Sequence, residues 1–110
     1  MKDGDPYISF LLCVYNGENY IEETLISICS QSYKNYEIVI VNDASTDNSI
    51  SIINKYIRSF NQFQIITNKY NLGLTISLNL AAQKAKGKWL ARIDSDDICH
   101  KDRIPYQLAL

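Results

Sequence analysis

The sequence predicts an α/β fold, in which a mostly parallel sheet carries helices on both faces. Short apolar segments alternate four times with segments whose apolar residues recur every three or four positions, and the connections between them are short. The apolar segments run nearly without interruption, as in strands that are buried on both faces of a parallel sheet. This alternation predicts right-handed crossovers between neighbouring parallel strands.

Four segments are predicted as strands because each is a short apolar run that ends at polar or turn-forming residues. They are residues 8–14, 36–41, 64–67 and 89–93. Asn16 and Gly17 follow the first strand, and Asn42 and Asp43 follow the second. Both strands are therefore expected to stop at these residues.

Three segments have the apolar spacing of an amphipathic helix. They are residues 18–32, a stretch that carries Ile50, Ile53, Ile57 and Phe60, and residues 74–85. Ser45 or Thr46 is the predicted N-cap of the second helix. Gly87 stands in the usual glycine position after the third helix. A fourth helix is predicted within residues 100–110.

Composition and charge restrict the function classes. With 110 residues, of which 46% are apolar and 21% charged, the chain is an ordinary globular domain. Its formal net charge of −1 provides no electrostatic footprint for nucleic acid, so we expect no nucleic-acid partner. The longest apolar run, residues 7–15, is too short to span a bilayer. The chain stops at Leu110 inside a predicted helix, which predicts a fragment of a longer protein.

The cysteines indicate a reducing compartment. Cys13, Cys29 and Cys99 are odd in number and lack the spacing of a metal site. We therefore predict buried thiols rather than disulfides, and a cytoplasmic location.

An acidic stretch, Asp-Ser-Asp-Asp at residues 94–97, directly follows the fourth predicted strand. Like charges this close repel by roughly 1 to 4 kcal/mol per pair, so the carboxylates must be solvated or bridged by a cation. Mg²⁺ and Mn²⁺ prefer oxygen ligands, and Mg²⁺ commonly takes one or two carboxylates together with substrate phosphates. An acidic turn that caps the following helix is the alternative.

Polar side chains follow three of the four predicted strands. Tyr15 and Asn16 follow the first, Asp43 the second, and residues 94–97 the fourth. The carboxyl ends of parallel strands meet at one edge of the sheet, where ligands bind near the point at which strand order reverses. This edge suits a nucleotide and its metal, although Asp43 could instead cap the helix near Thr46. No glycine-rich phosphate loop follows the first strand, so phosphate charge would need a metal.

Six short motifs stand in a defined order along the chain. They are Cys-Val-Tyr-Asn-Gly-Glu at 13–18, Ile-Val-Asn-Asp-Ala-Ser-Thr-Asp at 40–47, Asn-Leu-Gly-Leu at 71–74, Ala-Lys-Gly at 85–87, Asp-Ser-Asp-Asp at 94–97 and Asp-Arg-Ile at 102–104. This ordered set resembles the family 2 glycosyltransferases, which are nucleotide-sugar-dependent enzymes of the GT-A fold. The resemblance covers nearly the whole chain from Ile8 onward. It implies that residues 1–110 are the N-terminal, Rossmann-like, donor-binding part of a truncated GT-A domain.

The resemblance implies roles for residues that follow the first two strands. Tyr15 would stack on or flank a uracil-type base, with backbone contacts from Cys13 and Val14. Asp43 would accept a hydrogen bond from the base. Glu18 would add a further contact to the nucleotide-sugar.

The acidic stretch matches the Asp-X-Asp motif of the family. By this resemblance Asp94 would lie near the ribose, and Asp96 would coordinate Mg²⁺ or Mn²⁺ at the diphosphate, with Asp94 as a second candidate metal ligand. Ser95 would belong to the same nucleotide-sugar site, and Asp97 would support the loop or the donor sugar.

The implied activity is metal-assisted transfer of a sugar from a UDP-linked donor to a hydroxyl of a saccharide or lipid-linked acceptor, with inversion. The catalytic base and the acceptor-binding half of the family lie downstream of Leu110, so the isolated fragment is expected to bind donor and transfer nothing. Cys13 stands where the family often has proline, and Asn42 where it often has aspartate. Association of the full-length protein with the inner face of the membrane and formation of a homodimer remain open.

Two other function classes also gather carboxylates at strand ends, namely a receiver-like Mg²⁺-binding domain and a non-catalytic nucleotide- or metal-binding α/β module. A receiver needs an acidic pair after its first strand, whereas Tyr15 and Asn16 stand there. The joint presence of Asp43, Asp94 and Asp96 argues against the non-catalytic module, because such charges are costly without a metal.

Overall fold

The computed structural model describes residues 7–31, 35–58 and 62–94, in which strands and helices alternate strictly. The elements are β1 (Ile8–Val14), α1 (Ile21–Cys29), β2 (Tyr36–Asn42), α2 (Ser49–Ile57), β3 (Phe63–Thr67), α3 (Leu74–Lys84) and β4 (Trp89–Asp94). All the strands are parallel and lie in the order β3-β2-β1-β4. The predicted fold class is thus confirmed, while the helix predicted within residues 100–110 lies outside the described residues.

Helices cover both faces of the sheet, as predicted. Successive side chains of a strand point to opposite faces. Phe10 and Ile38 therefore face α1 and α2, whereas Leu11 and Val39 face α3. The rings of Phe10 and Tyr36 meet edge to face, with centroids 5.4 Å apart. Burial of each such side chain contributes about 1.5 to 3 kcal/mol, so the larger cluster beneath α1 and α2 dominates the stability of the sheet.

The strand order reverses between β1 and β4. The chain adds β2 and β3 on one side of β1 and then returns to place β4 on the other side. In the register of the sheet, Val14 lies opposite Asn42 and Cys13 lies opposite Asp94. The carboxyl ends of β1, β2 and β4 are therefore level, and they form the edge at which ligands bind in folds of this kind.

The helix starts differ from the sequence predictions. α1 begins at Ile21, because the carbonyl of Gly17 accepts hydrogen bonds from the N–H groups of Tyr20 and Ile21 and forms a turn first. α2 begins at Ser49, so the predicted caps Ser45 and Thr46 lie too early in the chain. Both residues instead form hydrogen bonds with the loop that follows β1, as described below.

The two described cysteines are less buried than the sequence predicted. Cys13 and Cys29 carry reduced, half-buried thiols rather than fully buried ones, and Cys99 lies outside the described residues. None of the helices in the described part of the chain is long and apolar enough to cross a membrane.

A buried carboxylate fixes the opposite, amino end of the sheet. Glu37 is 4% exposed and accepts hydrogen bonds from the Ser9 hydroxyl at 2.5 Å, the Gln64 amide at 2.8 Å and the Lys86 N–H at 2.6 Å. The Gly87 N–H donates to the Ser9 hydroxyl at 2.8 Å. These bonds attach the segment between α3 and β4 to the start of β1, and so determine where β4 enters the sheet.

Gly87→Ala is expected to destabilise the fold. An added Cβ would lie 2.5 Å from the Ser9 hydroxyl oxygen and 2.6 Å from the Ser9 backbone nitrogen. Both distances are shorter than the van der Waals contacts that Cβ atoms make in folded proteins. We expect the free energy of unfolding to fall by about 1 to 3 kcal/mol, as is usual for overpacked sites. Equilibrium urea unfolding followed by circular dichroism measures the change. Lys86→Ala is the control, since its exposed side chain leaves the backbone bond to Glu37 in place; equal midpoints for the two variants would contradict the prediction.

Candidate functional site

Tyr15 and Asp43 emerge side by side at the edge formed by the strand ends. The Asp43 N–H donates a hydrogen bond of 2.8 Å to the carbonyl of Val14, which ties the two strand ends together. The Tyr15 side chain is 52% exposed and offers a ring to solvent. Val14 has its side chain fully buried in the core and Cys13 is half-buried, and the backbone contacts predicted for these two residues stay predictions.

Asp43 lies at the centre of a buried polar cluster. Its carboxylate is 2% exposed and accepts hydrogen bonds from the Asn68 amide at 2.9 Å, the Leu72 N–H at 2.8 Å and the Gly73 N–H at 3.0 Å. Burial alone would raise the pKa of Asp43, but these bonds and the hydroxyl of Ser77 together lower it. The carboxylate is therefore ionised at neutral pH and acts only as an acceptor.

The alternative role that the sequence allowed for Asp43, as a cap of the second helix, is wrong. The carboxylate oxygens of Asp43 accept hydrogen bonds from the N–H groups of Leu72 and Gly73, which immediately precede α3 and not α2. Asp43 thus anchors the predicted turn at residues 71–73 and the start of α3 to the end of β2.

Asn68 and Ser77 are members of this cluster that sequence reasoning missed. Both side chains are buried, and the Asn68 amide bridges the Asp43 carboxylate and the Ser77 hydroxyl, at 2.9 and 3.1 Å. The sequence did contain a signal for Asn68, because this residue directly follows β3 and completes the set of polar residues at the four strand ends.

Glu18 and Asn16 belong to a network of hydrogen bonds between two loops. The Asn16 N–H donates to the Ser45 hydroxyl at 3.0 Å, and the Asn16 side-chain oxygen accepts from the Thr46 N–H at 2.8 Å. The Glu18 carboxylate accepts from the Asn48 N–H at 3.2 Å. Glu18, predicted as a ligand contact, therefore already serves to hold the loop after β1 against the loop after β2.

The acidic stretch begins at the same edge. Asp94 is the last residue of β4, and its backbone lies opposite that of Cys13. The side chain of Asp94 and all of Ser95, Asp96 and Asp97 lie outside the described residues. Their predicted roles at the nucleotide-sugar and the metal therefore stay predictions.

The chemistry of the donor set fits Mg²⁺ or Mn²⁺. Among residues 7–31, 35–58 and 62–94, no cluster of three or more histidine, cysteine or carboxylate side chains could hold a metal. The described carboxylates of Asp43 and Glu18 are engaged by protein N–H groups. Residues 94–97, predicted from the sequence as the metal site, offer oxygen atoms alone, the donors that hard divalent cations prefer.

Acid is expected to destabilise the protein through Asp43. Because its pKa is lowered in the fold, its contribution to stability is present above the ordinary value of about 3.9 and is lost as the pH falls through the folded value. The free energy of unfolding should therefore decline below about pH 4. Urea unfolding at a series of pH values should show a shallower acid decline for Asp43→Asn than for the wild type. Glu23→Gln, an exposed carboxylate on α1, is the control, and equal acid slopes for Asp43→Asn and wild type would contradict the assignment.

Ala44→Gly is expected to stabilise the loop after β2. Ala44 has φ of 62°, a left-handed conformation that costs a residue with a Cβ energy but costs glycine none. The free energy of unfolding should rise by about 1 kcal/mol. Thermal or urea unfolding measures it, with Ala82→Gly as the control, because the same substitution inside α3 should destabilise by about 0.5 to 1 kcal/mol. A loss of stability in Ala44→Gly would show that the loop adopts another conformation.

Comparison with known proteins identifies the family. Residues 9–110 match the model of the family described as glycosyl transferase family 2. An uncharacterized glycosyltransferase of Haemophilus influenzae is 44% identical over 93 residues, a match that covers 84% of this chain and 29% of the relative. The chain therefore spans less than a third of that relative's length.

Solved structures match the fold closely. The crystal structure of residues 1–349 of S. aureus TarS in complex with UDP superimposes with a TM-score of 0.87 at 30% identity, over 93% of this chain and 31% of that fragment. A mannosyltransferase of Pyrobaculum calidifontis, PcManGT, solved with GDP-Man and Mn²⁺, gives a TM-score of 0.77 at 26% identity, over 86% of this chain and 28% of that enzyme. The GT-A fold implied by the sequence is confirmed, and the chain belongs to glycosyl transferase family 2.

Proposed function

We propose that this chain is the donor-binding part of a glycosyltransferase whose donor is a nucleotide-sugar linked to UDP. The proposal is carried by one observation, the pairing of the exposed ring of Tyr15 with the buried, ionised carboxylate of Asp43 at neighbouring strand ends. A flat apolar face beside a hydrogen-bond acceptor is what a nucleobase with N–H donors requires. Membership of the family supports this assignment.

The base that we assign to this edge is of the uracil type. Asp43 accepts hydrogen bonds and cannot donate while it is ionised, which suits the imide N–H of uracil. Tyr15 flanks the base, and the backbone of Cys13 and Val14 completes the contact. TarS, the more similar of the two solved enzymes, was crystallised with UDP and with UDP-GlcNAc, whereas PcManGT was crystallised with GDP-Man.

Residues 94–97 hold the metal and the diphosphate in this proposal. Asp96, assisted by Asp94, would ligate Mg²⁺ or Mn²⁺, and Asp94 would also lie near the ribose. Ser95 would belong to the same nucleotide-sugar site, and Asp97 would support the loop or the donor sugar. When bound, the cation supplies Lewis-acid stabilisation of the negative charge that develops on the leaving diphosphate. PcManGT, which was crystallised with Mn²⁺, supports this choice of metal.

The transfer step needs groups that we place beyond residue 110. An acceptor hydroxyl of a saccharide or lipid-linked molecule attacks C1 of the sugar with inversion, after a carboxylate base has taken its proton. The family resemblance implies that this base also lies downstream of Leu110, and the proposal assigns Asp43 and Glu18 to the donor instead. The chain alone therefore binds donor without transferring the sugar. We place the full-length protein in the cytoplasm, with peripheral attachment to the inner face of the membrane and homodimer formation as further hypotheses.

Titration of UDP into the protein by calorimetry, in the presence of Mn²⁺, tests the proposal. We expect binding that disappears in EDTA and weakens by roughly tenfold or more in Asp96→Ala, since loss of a carboxylate ligand weakens the metal bridge to the diphosphate. Glu23→Gln, which removes an exposed carboxylate on α1, should bind UDP as the wild type does.

The other outcomes discriminate between functions. Binding of GDP in preference to UDP would change the proposed nucleotide and keep the function. Failure of a folded sample to bind either nucleotide with Mg²⁺ or Mn²⁺ would overturn the proposal and favour a non-catalytic module that keeps the fold and serves as a surface for a protein partner.

A further inference from the structure

The backbone N–H groups of the loop after β1 donate hydrogen bonds to side chains of the segment that follows β2. The N–H groups of Asn16, Gly17 and Glu18 donate to the Ser45 hydroxyl, the Ser49 hydroxyl and the Asp47 carboxylate, at 3.0, 2.8 and 3.1 Å. Successive N–H groups of this kind form an anion-binding concavity in phosphate loops. Here that concavity is filled by side chains of the protein itself.

Asp47 forms hydrogen bonds both within its own segment and with the loop after β1. One of its oxygens accepts hydrogen bonds from the Ser49 hydroxyl at 2.5 Å and the Ser49 N–H at 2.9 Å, and the other accepts from the Glu18 N–H. Ser49 is fully buried, and its hydroxyl oxygen in turn accepts the hydrogen bond from the Gly17 N–H. Burial alone would raise the pKa of Asp47, but the bonds from Ser49 and Glu18 lower it, so the carboxylate stays charged.

The position of Tyr15 depends on this network. Its ring is half exposed, so packing against the core holds only part of it. The next residue, Asn16, has φ of 50°, a left-handed conformation stabilised by its bonds to Ser45 and Thr46. The backbone that directs Tyr15 is therefore held from the β2 side, by the segment that also carries Asp43.

We propose that Asp47 is a positioning residue for the nucleotide site, which holds the loop carrying Tyr15 at a set distance from Asp43. Asp47 does not touch the ligand and acts through Glu18, Gly17 and Ser49. The inference rests on the proposed function, because it assigns Tyr15 and Asp43 to the base. It also explains why phosphate charge must be met elsewhere than at the loop after β1.

Amide hydrogen exchange of the ligand-free, full 110-residue chain tests the first step. In wild type the N–H groups of Gly17 and Glu18 should be protected, and in Asp47→Asn their exchange should accelerate at least about tenfold, because the amide side chain cannot accept from both Ser49 and Glu18. Core amides of β1 should change far less. Unchanged exchange at Gly17 and Glu18 would overturn the proposal whatever the ligand does.

A double-mutant cycle on UDP affinity with Mn²⁺ tests the second step. Asp47→Asn should weaken UDP binding about tenfold in the wild-type background and have little effect in Tyr15→Ala, because the two residues act on the same contact. Mn²⁺–pyrophosphate, which lacks the base, should bind equally well to wild type and Asp47→Asn. The charge-matched control is Glu23→Gln, which should leave all these affinities unchanged.

The outcomes separate this inference from the proposed function. If wild type binds neither UDP nor GDP, both fail; if it binds GDP alone, the same cycle is measured with GDP. If wild type binds UDP and Asp47→Asn binds it equally well, or if the two substitutions are additive, only the positioning role of Asp47 is overturned. A general loss of folding in Asp47→Asn would appear as accelerated exchange in the core of β1 and weaker pyrophosphate binding, and would also overturn it.

Discussion

The parallel register of β1 with both of its neighbours is the constraint on which the candidate site depends. Because Val14 lies opposite Asn42 and Cys13 opposite Asp94, three strands stop at the same height. A shift of one residue in either pairing would turn every side chain of a strand to the other face, so that the core beneath α1 and α2 and the core beneath α3 would exchange side chains that do not fit. Burial of apolar side chains on both faces therefore holds the polar ends of the strands in line.

Much of the fold could be predicted from the sequence because its signals are local. Buried parallel strands are continuous apolar runs, and the polar residues that end them are visible at residues 15–16, 42–43 and 94–97. Helix starts were less predictable, since they depend on partners distant in sequence. Ser45 and Thr46 are of residue types common at N-caps, yet both form hydrogen bonds with Asn16 of the loop after β1 instead.

The parts of the site that sequence reasoning missed are those made by tertiary hydrogen bonds. Nothing in the residues around Asn68 or Ser77 shows that they meet Asp43, and nothing near Glu37 shows that it accepts from Lys86, 49 positions away. In the described residues every buried polar side-chain atom has a partner. The rule that buried polar groups are hydrogen-bonded predicts that such partners exist, but the rule alone does not identify them.

The contact between Gly87 and Ser9 has a consequence for the order in which the protein folds. The two residues are 78 positions apart, so pairing β4 with β1 closes almost the whole described chain into a loop. Closing a long loop costs conformational entropy before the contacts between its ends can form. Non-local pairings of parallel strands therefore form slowly during folding. During synthesis β1 emerges first, yet one of its edges stays open until β4 is made. Of the four strands that the structure describes, the one that brings Asp94 to the candidate site is thus the last to join, and the edge formed by the strand ends is complete only when β4 has paired.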